Sequence, residues 1–281
     1  MITLVITLSR VHNKSFLEML KNIPDLTWTP GVSQYFLDDS IQVSKSQRVN
    51  QFTQKTRYVG APPNSFSWLL EMPECMGVSD TAGCSADWAF SAVGSFSDNR
   101  CISGKDSSRV AYSEQYMLSC DSSSQGCNGT SLMQNPQNFL KTTGVPTKKC
   151  VKFQSGSGEN LKCQTACDDG SKLKLIKSSS FEDVCSGEES IMNALRKGTI
   201  QTQLQIYSDF MYYLSGVYKH VSGSLEGVQM ATFVGYGETS GTKFWVVRNA
   251  WGSMWGENGY FRIVRGTNEC QIEQQCFLTV V

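Results

Sequence analysis

The residues that first suggest chemistry lie in the stretch Thr81-Ala82-Gly83-Cys84-Ser85-Ala86-Asp87-Trp88-Ala89-Phe90. A thiol, a tryptophan and a run of small apolar residues have the cadence of a nucleophile set at a helix N-terminus. The helix dipole there favours an anion, and a nearby imidazolium would depress a thiol's pKa. Yet the residue directly before Trp88 is Asp87, a carboxylate. Its bland role would be to stabilise the first turn of a helix, worth about 0.3–1 kcal/mol. Its functional role would be contact with a ligand. Histidine, the usual general base, occurs only as His12 and His220.

The elements that must position these groups divide the chain unevenly. Residues 1–61 are polar and rich in Ser, Gln and Lys, with Phe16, Leu17, Leu20 and Ile23 at helical spacing before the break at Thr27-Trp28-Thr29-Pro30-Gly31. Composition shifts at Ala61-Pro62-Pro63, and residues 62–281 have the texture of a globular domain. A small-residue helix is expected from Asp87 to Arg100, burying Ala89, Ala92, Val93 and Phe96 on one face. Ser113 is a candidate N-cap, another helix is expected over 131–142, and a third over 188–198 ending at Gly198. The stretch 153–172 is Gly/Ser-rich loop. Beyond it, GVYKHV, QMATFVGY, KFWVVRNAW, YFRIV and FLTVV predict strands separated by glycines. Helices first and strands later give an α+β chain of two lobes.

Charge excludes some functions. Lys and Arg number 25 against 25 Asp and Glu, so no basic nucleic-acid footprint exists. No apolar run is long enough to span a membrane. Eleven cysteines at long, scattered spacings, with two histidines and no C-x-x-C pair, fit zinc poorly and fit a disulfide framework well. That framework implies an oxidising, secretory-type compartment. Ile2 to Leu8 reads equally as a weak export signal or a buried strand. The sequons at Asn13 and Asn128 are compatible with export but do not decide it.

Four stretches carry a family resemblance: CSADWAF (84–90), SEQYMLSCDSSSQGCNGT (113–130), YSDFMYYLSGVYKHVSGSLEGVQMATFVGYG (207–237) and FWVVRNAWGSMWGENGYFRIVRG (244–266). In this order they resemble the papain family of cysteine peptidases. The third stretch and CQIEQQC (270–276) look most like its cathepsin B branch. The resemblance implies an α+β papain-like fold, with a helical left lobe, a β-barrel-like right lobe and a cleft between them. It makes 62–281 the peptidase domain and 1–61 a propeptide-like segment. It implies a lysosome-like or extracellular destination, no cofactor, no metal, and a peptide, propeptide or protein inhibitor as the cleft's partner.

Carried over position by position, the resemblance places Asp87 where the nucleophilic cysteine belongs. Counting back from Gly235-Tyr236-Gly237 puts Gln229 at the base, Asn249 matches the orienting asparagine, and Thr81 stands for the oxyanion glutamine. A carboxylate is a poor nucleophile toward amides, and glutamine takes no proton from it. The expectation is therefore a pseudopeptidase that binds ligands in a residual cleft. The alternatives are an active or weakly active endopeptidase in a different register, and a protein that works through its outer surface. Trp88, Trp251 and Gln275 are expected around the cleft, with Trp251 over Asn249. Gln275 replaces the branch's pocket glutamate, and CVKFQSGSGENLKC (150–163) is too short and too poor in histidine to occlude the cleft. The resemblance also implies the disulfides Cys75–Cys101, Cys84–Cys127, Cys120–Cys163 and Cys150–Cys167. It leaves Cys270 free and suggests Cys185 with Cys276.

Overall fold

The computed structural model describes residues 13–37, 54–130 and 132–281. The expected export signal or strand at Ile2–Leu8 and His12 lie outside them. In chain order the elements are α1 (Lys14–Lys21), β1 (Trp28–Pro30), β2 (Phe66–Ser67), α2 (Trp68–Glu71), α3 (Asp87–Ile102), α4 (Glu114–Cys120) and α5 (Gln134–Thr142). They continue with β3 (Ser180–Asp183), α6 (Glu188–Leu195), β4 (Ile200–Tyr207), β5 (Tyr213–Tyr218), β6 (Leu225–Thr239), β7 (Thr242–Arg248), β8 (Tyr260–Val264) and β9 (Cys276–Val280).

The fold is α+β and papain-like, built on two hydrophobic cores. One gathers Trp88, Phe90, Phe96, Met117 and Leu140 among the helices. The other gathers Phe210, Tyr213, Phe233, Trp245, Trp255 and Phe261 on the sheet. The strands run in the order β1-β5-β8-β7-β6-β4-β9-β3, with β2 on β6. All of these pairings are antiparallel except β5 with β8. This is an open mixed sheet; among the described residues it does not close into the barrel-like form expected from the resemblance. The path ends at β1 and β3 with no pairing between them.

Helix α3 fills the seam between the cores. The expectation was one buried face, yet every residue but Arg100 and Ile102 is buried. A helix buried all round must satisfy its polar groups internally. Ser95 Oγ donates to Thr199 O at 2.8 Å, and Asn99 Nδ2 bridges the carbonyls of Thr199 and Thr279. Asp98 pairs with Arg109 at 2.8 Å and Arg248 at 2.7 Å. Gly198 does not stop α6 by an unusual backbone angle. A Cβ there would lie 2.5 Å from Asn99 Oδ1, so glycine permits the close approach of α3. Ser113 caps α4, its Oγ accepting from Tyr116 N at 3.0 Å.

The N-terminal segment docks on the sheet lobe. Asn13 caps α1, which buries Leu17 and Leu20. β1 pairs with β5, and Trp28 packs its indole on Tyr213 and Tyr218 while Nε1 donates to Lys219 O at 3.1 Å. Farther on, Lys55 Nζ donates to Cys185 O at 2.6 Å and Gln274 O at 3.3 Å. Among the described residues, no helix is long and apolar enough to cross a membrane.

Candidate active site

Asp87 is the first residue of α3, preceded by Ala86, which offers no side-chain cap. The carboxylate is 1 % exposed, and Oδ2 accepts the Met230 amide of β6 at 2.5 Å. This hydrogen bond ties the start of α3 to β6. Gln229, the preceding residue on β6, is also 1 % exposed, and Nε2 donates to Asn249 Oδ1 at 3.1 Å. The same oxygen accepts the Ala250 amide at 2.8 Å. Asn249 follows the last residue of β7, and its own amide donates to Gly259 O. The structure therefore brings Asp87, Gln229 and Asn249 together. Gln229 Oε1 and Asn249 Nδ2 are buried without a hydrogen-bond partner among the described residues.

Thr81 reaches the same neighbourhood, but its donors are used. Its amide and hydroxyl both point to Ala250 O, at 3.0 and 3.3 Å. Trp88 is fully buried in the helical core, with Nε1 donating to Gly126 O at 3.0 Å. Trp251 meets the rings of Tyr35 (stacked, 6.0 Å), Phe36, Phe210 and Trp255, so the N-terminal segment supplies two of its aromatic neighbours. Gln275 is buried, and its Oε1 accepts from Gln203 Nε2 at 3.1 Å. The two side chains form a neutral amide pair with no carboxylate in it.

No thiol joins this group. Cys84 is bonded to Cys127, and the other bridges are Cys75–Cys101, Cys120–Cys163, Cys150–Cys167 and Cys185–Cys276. Cys270 is the remaining cysteine, buried and free. Burial, followed by the charges of Glu269 and Asp209, pushes its thiol far above the ordinary range. A thiol held neutral is a weak nucleophile. His220 is engaged elsewhere: Nδ1 lies 3.0 Å from Asp209 Oδ1, and the ring stacks on Tyr207 at 3.8 Å. Asp209 also accepts from Tyr218 Oη at 2.6 Å and from the amides of Val221 and Ser222. Sequence reasoning missed this buried carboxylate hub, because its partners follow it by nine to thirteen positions without a motif. Among the described residues, no cluster of three His, Cys, Asp or Glu could hold a metal ion.

Chemically, the arrangement is a set of hydrogen bonds between an acid, a backbone amide and two carboxamides. None of Asp87, Gln229, Asn249 and Thr81 is a thiol or an imidazole. The segment 150–163 is pinned against α4, where Gln115 Oε1 accepts the amides of Gln154 and Ser155 at 2.8 and 3.0 Å.

Comparison with known proteins agrees with this geometry at the level of family. The model for papain family cysteine proteases matches residues 62–280. The chain is 46 % identical over 218 residues to cathepsin B-like CP3 of Giardia intestinalis, covering 76 % of this chain and 73 % of that one. It is 43 % identical over 221 residues to cathepsin B-like CP2 of the same organism, with the same coverage. Among solved structures it resembles proCathepsin B S9 from Trypanosoma congolense, with a TM-score of 0.86, 25 % identity, and 97 % and 99 % of the two chains covered. With its matching domain, its cathepsin B-like relatives and its papain-like fold, this chain belongs to the papain family of cysteine proteases.

Proposed function

We propose that this protein is a catalytically inactive cathepsin B-like member of its family, a pseudopeptidase that holds extended peptides, its own N-terminal segment or protein inhibitors in the residual cleft. The observation that carries this reading is the Asp87 carboxylate bound to the Met230 amide, with Gln229 bound to Asn249 beside it. Peptide hydrolysis by this family needs a thiolate and an imidazole at those two positions. Removing both abolishes the nucleophilic step itself. The competing reading, a weak peptidase in another register, needs the Cys84 thiol, and that sulfur is joined to Cys127.

Residues 1–61 act in this proposal as a propeptide-like segment. Its support is the docking of Trp28 on β5 and of Tyr35 and Phe36 on Trp251, together with the near-complete overlap with a pro-form structure. Ligand binding would rest on main-chain hydrogen bonds along the cleft, which need no nucleophile. The disulfides support a secretory, vacuolar or extracellular setting. The test is an epoxide probe directed at papain-type thiols, applied to residues 62–281, alongside calorimetric titration of the isolated segment 1–61. The account expects no labelling and measurable binding of the segment. Stoichiometric labelling would overturn inactivity, and absence of binding would overturn the cleft role.

A further inference from the structure

The sequon Asn128-Gly129-Thr130 lies at the end of the tight helical turn Gly126–Asn128, next to the Cys84–Cys127 bridge. The backbone of Asn128 is held, its amide donating to Gln125 O at 3.0 Å. Its side chain is exposed, and its carboxamide has no hydrogen-bond partner among the described residues. The second sequon differs. Asn13 uses its carboxamide oxygen to cap α1, accepting from Phe16 N at 3.0 Å. Five disulfides place folding in an oxidising compartment, where sugar transfer to asparagine also occurs.

We infer that Asn128 is an N-glycosylation site whose glycan stands on the rim of the cleft, beside the N-terminus of α3. Two hydrogen bonds fix that position. Cys127 O accepts the Ser85 amide at 3.2 Å, and Gly126 O accepts Trp88 Nε1 at 3.0 Å. The turn that carries Asn128 therefore leans on the residues flanking Asp87. The sugar donor is a polyprenyl-diphosphate-linked oligosaccharide, delivered by a membrane transferase. Asn128 Nδ2 forms a bond to the anomeric carbon of the first sugar, and the bond from that carbon to the phosphate oxygen breaks. The diphosphate leaves with the electron pair, and one amide proton passes to the transferase. Nothing is oxidised or reduced.

Timing follows from Thr130. Thr130 is 3 % exposed and its hydroxyl donates to Leu132 O at 3.3 Å, so the folded turn shuts away the residue that a transferase must read. Transfer precedes closure of the Cys84–Cys127 loop.

The test is peptide mapping by mass spectrometry of the full chain, secreted from a eukaryotic cell and digested without reduction. The expected result is a hexosamine-based mass increment on the peptide containing Asn128, retained in Asn13→Gln and lost in Asn128→Gln. Asn128→Gln alters an exposed, unbonded side chain, so it should fold, and five intact bridges in the same map check this. An unmodified Asn128 in protein with all five bridges formed overturns the proposal. An increment that disappears with Asn13→Gln also overturns it.

Discussion

Replacing Asp87 with alanine should destabilise the protein rather than merely alter a binding surface. The wild-type carboxylate is 1 % exposed and accepts the Met230 amide at 2.5 Å. Alanine leaves that buried N–H without its acceptor. A hydrogen bond to a charged group is worth about 1.5–3 kcal/mol. The negative charge in the first turn of α3 adds about 0.3–1 kcal/mol. Against these stands the relief of no longer burying a carboxylate. We expect a net loss of about 2 kcal/mol, since breaking one partner of a buried bond leaves the other desolvated. For a chain of this size that corresponds to a fall in Tm of roughly 4–8 °C. Asp87→Asn retains an acceptor oxygen and should lose about half as much, because a neutral hydrogen bond contributes about 1 kcal/mol. Asp87→Cys should resemble alanine, a thiol being a weak acceptor. The assay is equilibrium urea unfolding read by tryptophan fluorescence. An alanine variant as stable as wild type, or more stable than the asparagine variant, would refute the reasoning.

Restoring catalytic groups should need two changes: Asp87→Cys alone should react slowly with iodoacetamide, and adding Gln229→His should raise the rate sharply through thiolate formation; equal rates would mean the two positions do not face one another. Cys270 should be the single reactive thiol of unfolded protein and silent toward an aromatic disulfide reagent at pH 8 in native protein, because burial, Glu269 and Asp209 hold it neutral; a fast native thiol would contradict this. Burial alone would raise the Asp106 carboxyl, but bonds from Arg100 (2.9 Å) and Tyr112 outweigh it and hold the carboxyl below its ordinary value. A depressed folded pKa contributes stability above the ordinary carboxyl value of about 3.9, and that contribution is lost as pH falls below it; Asp106→Asn should flatten the acid limb of stability against pH, and an unchanged limb would contradict the assignment.

The candidate site residues were reached through motif spacing alone. Asp87 was placed by Trp88, Gln229 by Gly235-Tyr236-Gly237, and Asn249 by Trp251-Gly252, and the structure brings the three together. What the sequence hid was the partner of Asp87, since the Met230 donor is backbone and carries no residue signature. The strand β4 was also missed. Its Gln201, Thr202 and Gln203 are polar and all three are buried, with Gln201 Nε2 donating to Ser91 Oγ at 2.9 Å. A polar strand packed against a polar-lined helix defeats any pattern based on apolar alternation. The same pairing explains why α3 showed one apolar face in sequence and no exposed face in the fold. Trp88 and Trp251 were both expected around the cleft. Trp88 belongs to the helical core, and the aromatic cluster around Trp251 draws Tyr35 and Phe36 from a segment more than two hundred positions away, which periodicity cannot foresee.

The central claim is the loss of peptidase chemistry, and turnover tests it most directly. Residues 62–281 should be assayed on dipeptidyl and longer fluorogenic substrates across acid to neutral pH, with an epoxide inhibitor as control. Asp87→Cys combined with Gln229→His and Thr81→Gln serves as the positive comparison, the glutamine supplying an oxyanion donor. The account predicts no inhibitor-sensitive turnover by the wild-type domain and detectable turnover by the triple variant. Inhibitor-sensitive hydrolysis by the wild-type domain, retained after repurification and absent in Asp87→Ala, would contradict it.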